Sequence, residues 1–224
     1  MIKPILVEDI FELNDNIQPT FDGEVIIVNN IFKHYNKILK YINNVTLEPW
    51  KLDPNGRNFK DYYDCRYYLN RGVLTYPEKS RKRVGTLIDL LSYFFKLDKD
   101  KITASPEIIF NYFKHKKLGI NKNLQHFPHH ETYYNSIIYL DPHKNGGTAL
   151  YDTKIFDNEE DKNLMYDISN LKIKKVIPAI PNTLVMFPGT IMHGGYIEDH
   201  DLYYYNWRIN LVNFFGHKEV KSNA

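Results

Sequence analysis

A single cysteine, Cys65, stands in 224 residues, so neither a disulfide framework nor a cysteine-rich zinc site can be built within the chain. Long hydrophobic runs are missing too: none approaches the roughly 18 apolar residues that a membrane-crossing helix needs. The opening stretch MIKPILVEDIFELND turns acidic after a few apolar positions and has no secretory core or cleavage site, so a soluble, cytoplasmic protein is expected. Charge of one sign is lacking as well. With 29 Lys and Arg against 27 Asp and Glu, the net charge is +2, which argues against a dedicated nucleic-acid or membrane-surface binder. With 11 glycines and 11 prolines, 43% hydrophobic and 25% charged residues, the composition is globular and excludes collagen-like or disordered chains. Any metal site must therefore use His, Asp and Glu.

What is present is a set of short patterned segments. Phe32, Tyr35, Leu39 and Ile42 recur at helical spacing and predict an amphipathic helix over Ile31–Asn43. Trp50–Phe59, with Asp-Pro and Asn-Gly, reads as loop. Val84, Leu87, Ile88, Leu91, Phe94 and Phe95 predict a helix from Arg81 to Lys96 with Ser80 as N-cap. The basic run Lys79–Arg83 reads as that helix's solvated end. After Pro106 come short strand-like runs: Ile108–Phe113, Tyr133–Leu140, Ala149–Tyr151, Leu171–Ile177, Thr183–Phe187 and Tyr203–Phe215. Turn signals separate them, among them Asn145-Gly146-Gly147, read as a hairpin turn. The acidic stretch Asp157–Asn163 reads as a surface loop. The expected fold class is α+β, mainly β, in one domain over 1–224: a helical and mixed part over 1–104 and a β core over 105–217.

Three of the nine histidines fall within Gln125–Glu131, in the string QHFPHHE. On an extended strand residues i and i+2 share a face, so His129 and Glu131 project together, two parts of a 2-His-1-carboxylate set. His193, in PGTIMHGG, is the best third ligand. Arg208 lies in RINLVNFF, where alternation puts Arg208, Asn210 and Val212 on one face. A guanidinium inside an apolar strand costs several kcal/mol unless an anion pairs with it, and its planar fork suits a carboxylate.

These residues, in this order, resemble the Fe(II)/2-oxoglutarate-dependent dioxygenases, particularly the prolyl-hydroxylase-like branch. The matching elements are His129-x-Glu131, NSIIYL over Asn135–Leu140, GGTALY over Gly146–Tyr151, NTLVMFPG over Asn182–Gly189, His193 and Arg208. The resemblance covers Gln125–Phe215. It implies a double-stranded β-helix (jelly roll) buttressed by N-terminal helices. It also implies Fe(II) held by His129, Glu131 and His193, and a 2-oxoglutarate cosubstrate whose distal carboxylate Arg208 binds. Tyr139, Thr148 and Asn210 are further candidates for contacts to the cosubstrate, by strand position. The implied activity is hydroxylation of a C–H bond in a protein side chain (prolyl-type) or a small metabolite, consuming dioxygen and releasing succinate and CO2, with ascorbate as reductant. Two positions depart from the family pattern. The carboxylate is Glu131 where Asp is usual, and the 15 positions between His193 and Arg208 are more than is common, which places an insertion in the polar loop Tyr196–Tyr204. Two other readings stay open: a cupin-like metal-binding isomerase or hydrolase without redox chemistry, and a catalytically silent jelly-roll binding module.

Overall fold

The computed structural model describes residues 10–44, 48–49, 62–68, 78–104, 109–115, 126–131, 134–152, 171–199 and 201–217. The chain first forms the hairpin β1 (Pro19–Phe21) and β2 (Ile26–Val28), then helix α1 (Tyr35–Ile42). Strands β3 (Glu48–Pro49) and β4 (Tyr62–Tyr68) precede helix α2 (Glu78–Phe95). Nine strands follow: β5 (Ile102–Ala104), β6 (Ile109–His115), β7 (His126–His129), β8 (Tyr134–Tyr139), β9 (Gly147–Tyr151), β10 (Ile173–Pro178), β11 (Thr183–Pro188), β12 (His193–Tyr196) and β13 (Arg208–His217). The short helix α3 (Leu202–Tyr205) sits just before β13.

Among the described residues the strands form two antiparallel sheets. The larger has the order β1-β2-β11-β8-β13-β6-β4-β3, with β5 added on β13; the smaller has the order β10-β9-β12-β7. From β6 to β13 the chain changes sheet at every step except the β9–β10 pair. Eight strands laid down in that way make a jelly roll, as the sequence resemblance implied.

Side-chain alternation divides this architecture into two interiors. On one face of the large sheet Ile138, Leu140, Leu184, Met186, Ile209, Leu211 and Phe215 pack against Ile38 and Ile42 of α1 and Val84, Leu87 and Leu91 of α2. On the other face Tyr139, Val185 and Phe187 meet Leu150 of the small sheet. The strands read as nearly continuous apolar runs because both faces are covered. Each fully buried Leu or Ile contributes roughly 1.5–3 kcal/mol, so the helix layer anchors the outside of the sheet whose inside carries the site.

Several element boundaries differ from expectation. α1 begins at Tyr35, not Ile31, because the Phe32 backbone is claimed by Asn182: Phe32 N–H donates to its Oδ1 at 2.9 Å, and its Nδ2 donates to Phe32 O at 3.0 Å. α2 starts three residues early, which puts Ser80 inside the helix and not at its cap. Arg83 is buried beside the Phe11 ring, with its guanidinium carbon 5.9 Å from the ring centroid, so the basic run is not wholly a solvated end. The run Tyr203–Phe215 is helix up to Tyr205 and strand only from Arg208. Residues 50–59 and 157–163 lie outside the described set.

Candidate functional site

The register of the small sheet builds the first half of the site. β12 is hydrogen-bonded to β7 with His193 directly opposite His129, so two imidazoles from remote segments are cross-strand neighbours, their ring centroids 4.4 Å apart. Glu131 follows the end of β7, where its backbone N–H donates to Gly189 O at 2.6 Å and ties it to the β11–β12 turn. His129 Nε2 lies 3.7 Å from Glu131 Oε1. The ligand-type atoms of His129, Glu131 and His193 all fall within 4.8 Å of one another.

His193 is held in one tautomer. Its Nδ1 is 2.7 Å from Ile191 O, and since a carbonyl only accepts, Nδ1 carries the proton and Nε2 keeps its lone pair. Phe187 packs edge-on against the ring. Burial, reinforced by the neighbouring His129, lowers the His193 pKa to about 3. At neutral pH the ring is therefore neutral, the form a metal ligand requires.

The second half lies deeper along the same interior face. Residues 135, 137 and 139 of β8 share that face, and β13 runs beside them with Asn210 opposite Tyr139. Arg208 is buried, and Nη2 donates to Gly147 O at 2.6 Å. With the Asn210 amide oriented so that Oδ1 faces the guanidinium, it accepts from Nη1 at 2.8 Å; the reverse would set donor against donor. Arg208 Nε has no hydrogen-bond partner, and no described carboxylate stands within ion-pairing distance. Tyr139 Oη and Thr148 Oγ1 are 2.7 Å apart. Burial raises the Tyr139 phenol to about 12, partly offset by Thr148 and by the Arg208 charge, so the hydroxyl stays protonated.

Gly147 must be glycine: its φ is +154°, and a Cβ there would stand 1.8 Å from Ile177 O. The Gly146-Gly147 turn is not a hairpin; it carries the chain from the large sheet to the small one. The insertion before Arg208 is not merely a polar loop, since α3 buries Tyr203, whose hydroxyl donates to Asp141.

All seven residues singled out in the sequence thus fall into two groups on one barrel interior: His129, Glu131 and His193 at one level, and Arg208, Tyr139, Thr148 and Asn210 at another. One residue was missed. Asn135 is 1% exposed, and its Nδ2 lies 2.9 Å from His193 Nε2. Its signal was a fully polar side chain at inward parity with Ile137 and Tyr139, where a buried amide is costly unless it has work to do.

The sequence matches no family model and no curated protein. Solved structures do match. HygX from Streptomyces hygroscopicus, with nickel and 2-oxoglutarate bound, is 10% identical over 88% of this chain and 84% of its own, with a TM-score of 0.53. SnoN, a non-heme alpha ketoglutarate dependent epimerase from nogalamycin biosynthesis, is 10% identical over 87% and 76%, with a TM-score of 0.52. SnoK, a carbocyclase of the same description and pathway, is 9% identical over 89% and 84%, with a TM-score of 0.50. The chain has their fold. At such identities the likeness extends to the backbone, and the residues above carry the chemistry.

Proposed function

We propose that this chain is an Fe(II)- and 2-oxoglutarate-dependent oxygenase acting on a C–H bond of a protein side chain or small metabolite, with hydroxylation as the outcome. One observation carries the reading: a cluster suited to a divalent metal and a buried guanidinium without a described carboxylate partner face the same interior between the two sheets. A keto-diacid is the ligand that needs both. A zinc isomerase or hydrolase of cupin type would need only the first, and a silent module neither.

The residues fit the group. Two imidazoles and a carboxylate suit a first-row divalent ion and leave positions free for other ligands, and the glutamate in place of aspartate still brings a carboxylate oxygen within the cluster. His129, Glu131 and His193 would hold the metal, and 2-oxoglutarate would chelate it. When bound, that pair supplies the oxidation of a C–H bond by dioxygen, coupled to loss of CO2 and release of succinate. The chain's own work is positional. His193 Nδ1 keeps its proton on Ile191 O, so Nε2 is delivered without deprotonation. Arg208, steadied by Gly147 O and Asn210, offers Nε and the rest of its fork to the distal carboxylate. Tyr139 and Thr148 stay neutral; one hydroxyl donates to the other, which leaves one O–H for the carboxylate. Val185, Phe187 and Leu150 are buried with Tyr139 on this interior, and apolar surroundings strengthen a charge pairing there.

The test is succinate release from 2-oxoglutarate with Fe(II), dioxygen and ascorbate, comparing wild type with His193→Ala. The reading expects turnover in the wild type and loss of at least about 100-fold in the variant, the cost range for transition-state groups whose removal disables a site. Equal turnover in the two proteins refutes it.

A further inference from the structure

Arg208 belongs to the large sheet and the carbonyl that holds it, Gly147 O, to the small one, so their bond spans the gap between the sheets. The residues inserted just ahead of Arg208 bridge the same gap. On the large-sheet side Leu140 and Asp141 N–H both donate to Ile209 O, at 3.0 and 3.2 Å, which fixes Asp141 beside the start of β13. Tyr203 of α3 is fully buried and donates its hydroxyl to Asp141 Oδ2, with Asn145 O 3.3 Å away as a second acceptor. The Asn145 side chain accepts from Glu198 and Asp199 N–H at 3.1 and 3.2 Å, and Asp199 Oδ1 in turn accepts from Asp201 and Leu202 N–H at the start of α3. A Cβ on Gly146 would stand 2.0 Å from Tyr196 O, so the turn and the insertion are in contact along their length. Burial and the Asp141 bond push the Tyr203 phenol up while the Arg208 charge pulls it down, which puts the hydroxyl within electrostatic reach of the guanidinium. The insertion is thus tied to the turn whose last carbonyl holds Arg208.

We propose that Tyr203 is a positioning residue: by joining Asp141 to the Asn145 turn, its hydroxyl holds the Gly147 carbonyl, and through it the Arg208 fork, in the orientation that takes the distal carboxylate of the cosubstrate. This rests on the proposed function. The brace lies at the Arg208 end, and neither β7 nor β12, which carry the metal-ligand cluster, supplies a hydrogen bond to the Tyr203 hydroxyl. Cutting it therefore loosens the grip on one end of one ligand. A tyrosine that served packing alone would change stability and no affinity, and one on which the whole barrel depended would weaken every ligand alike.

The experiment uses the full-length protein and three calorimetric titrations: Co(II) alone, then 2-oxoglutarate or 2-oxopentanoate into the cobalt-loaded protein. 2-Oxopentanoate keeps the chelating keto acid and carries a methyl where the distal carboxylate stands. Tyr203→Phe removes the hydroxyl and leaves the buried ring; if it does not fold by circular dichroism, Asn145→Ala carries the test, since it cuts the same brace at its half-buried end. The expected result is a 2-oxoglutarate Kd weakened about ten-fold, the scale of one hydrogen bond, with the Kd values for Co(II) and 2-oxopentanoate within two-fold of wild type. A 2-oxoglutarate Kd within two-fold of wild type in the folded variant, or an equal loss for cobalt or 2-oxopentanoate, overturns the role of Tyr203. Absence of 2-oxoglutarate binding in cobalt-loaded wild type is a separate result and overturns the proposed function itself.

Discussion

At one end of the barrel the side chains of His129 and Glu131 are 38% and 27% exposed, with His193 buried beside them, while at the other end the whole residue Arg208 is 7% exposed. The open end presents atoms that can exchange ligands with solvent. The closed end presents a fixed charge, tethered by a glycine carbonyl and an asparagine, with its surroundings too dry to screen it. On the proposed function, the contrast separates two tasks that one flat pocket would confuse: reactive ligands come and go at the metal, whereas the cosubstrate is selected by charge and length. On the proposed function, each end should therefore fail in its own way.

The largest effect expected from dividing the two ends is that of Arg208→Met. The substitution keeps length and apolar volume but removes the fork. 2-Oxoglutarate binding to the cobalt-loaded protein should weaken by about 100- to 1,000-fold, because truncating one partner of a buried charge pair costs roughly 2–5 kcal/mol. Cobalt binding should stay within a few-fold of wild type, and the apoprotein should be as stable or more so, since an unneutralised buried cation is replaced by a fitting apolar chain. Calorimetry and urea unfolding measure all three. If cobalt affinity collapses together with 2-oxoglutarate affinity, the two ends are not separate and the comparison breaks.

Acidity sharpens it next. The native His193 pKa is about 3, below the ordinary value of 6.5, so between those limits the unfolded chain holds a proton that the native chain does not. Native stability of the apoprotein must then fall as pH drops through 6.5 towards 3, by up to about 1.4 kcal/mol per unit. Tyr139 at the closed end stays protonated throughout this window and adds nothing. Urea unfolding at pH 7 and pH 5 should show wild type losing about 1–2 kcal/mol more than His193→Gln. Equal losses would mean that the imidazole is not sequestered from protons.

The same two ends differ in how readily the sequence revealed them. Arg208 was legible because a lone cation in RINLVNFF contradicts its surroundings, and His129-x-Glu131 because strand parity aims both side chains together. The union of His129 with His193 was only inferable from order, since it depends on β7 and β12, four residues each, pairing in one register. Strands that short leave almost no periodic signal. The strands β8, β10 and β11 were readable as apolar runs between turns, though their assignment to sheets was not. The start of α1 was misread because Phe32 keeps helical spacing while its backbone bonds to Asn182, 150 positions away. α3 was misread for a related reason: Tyr203 looks like strand, yet it is fixed by a buried hydroxyl bond to Asp141. In each case a long-range polar contact overrode a local pattern, which no window of neighbouring residues contains.

The smallest and most discriminating change is Tyr139→Phe. It removes one hydroxyl from the closed end and leaves the ring, so packing against Val185 and Leu150 is preserved. Thr148 Oγ1 then loses its partner at 2.7 Å, but a hydroxyl rotor can turn to the backbone, so stability should change by no more than about 1 kcal/mol. If the phenol donates to the distal carboxylate beside Arg208, the KM for 2-oxoglutarate should rise about 5- to 10-fold, with kcat nearly unchanged, because the contact is equally present before and during the reaction. A fall in kcat at constant KM would instead place Tyr139 among groups that act at the open end. That outcome would erase the division between a selecting end and a reacting end, since one hydroxyl far down the barrel would then control both.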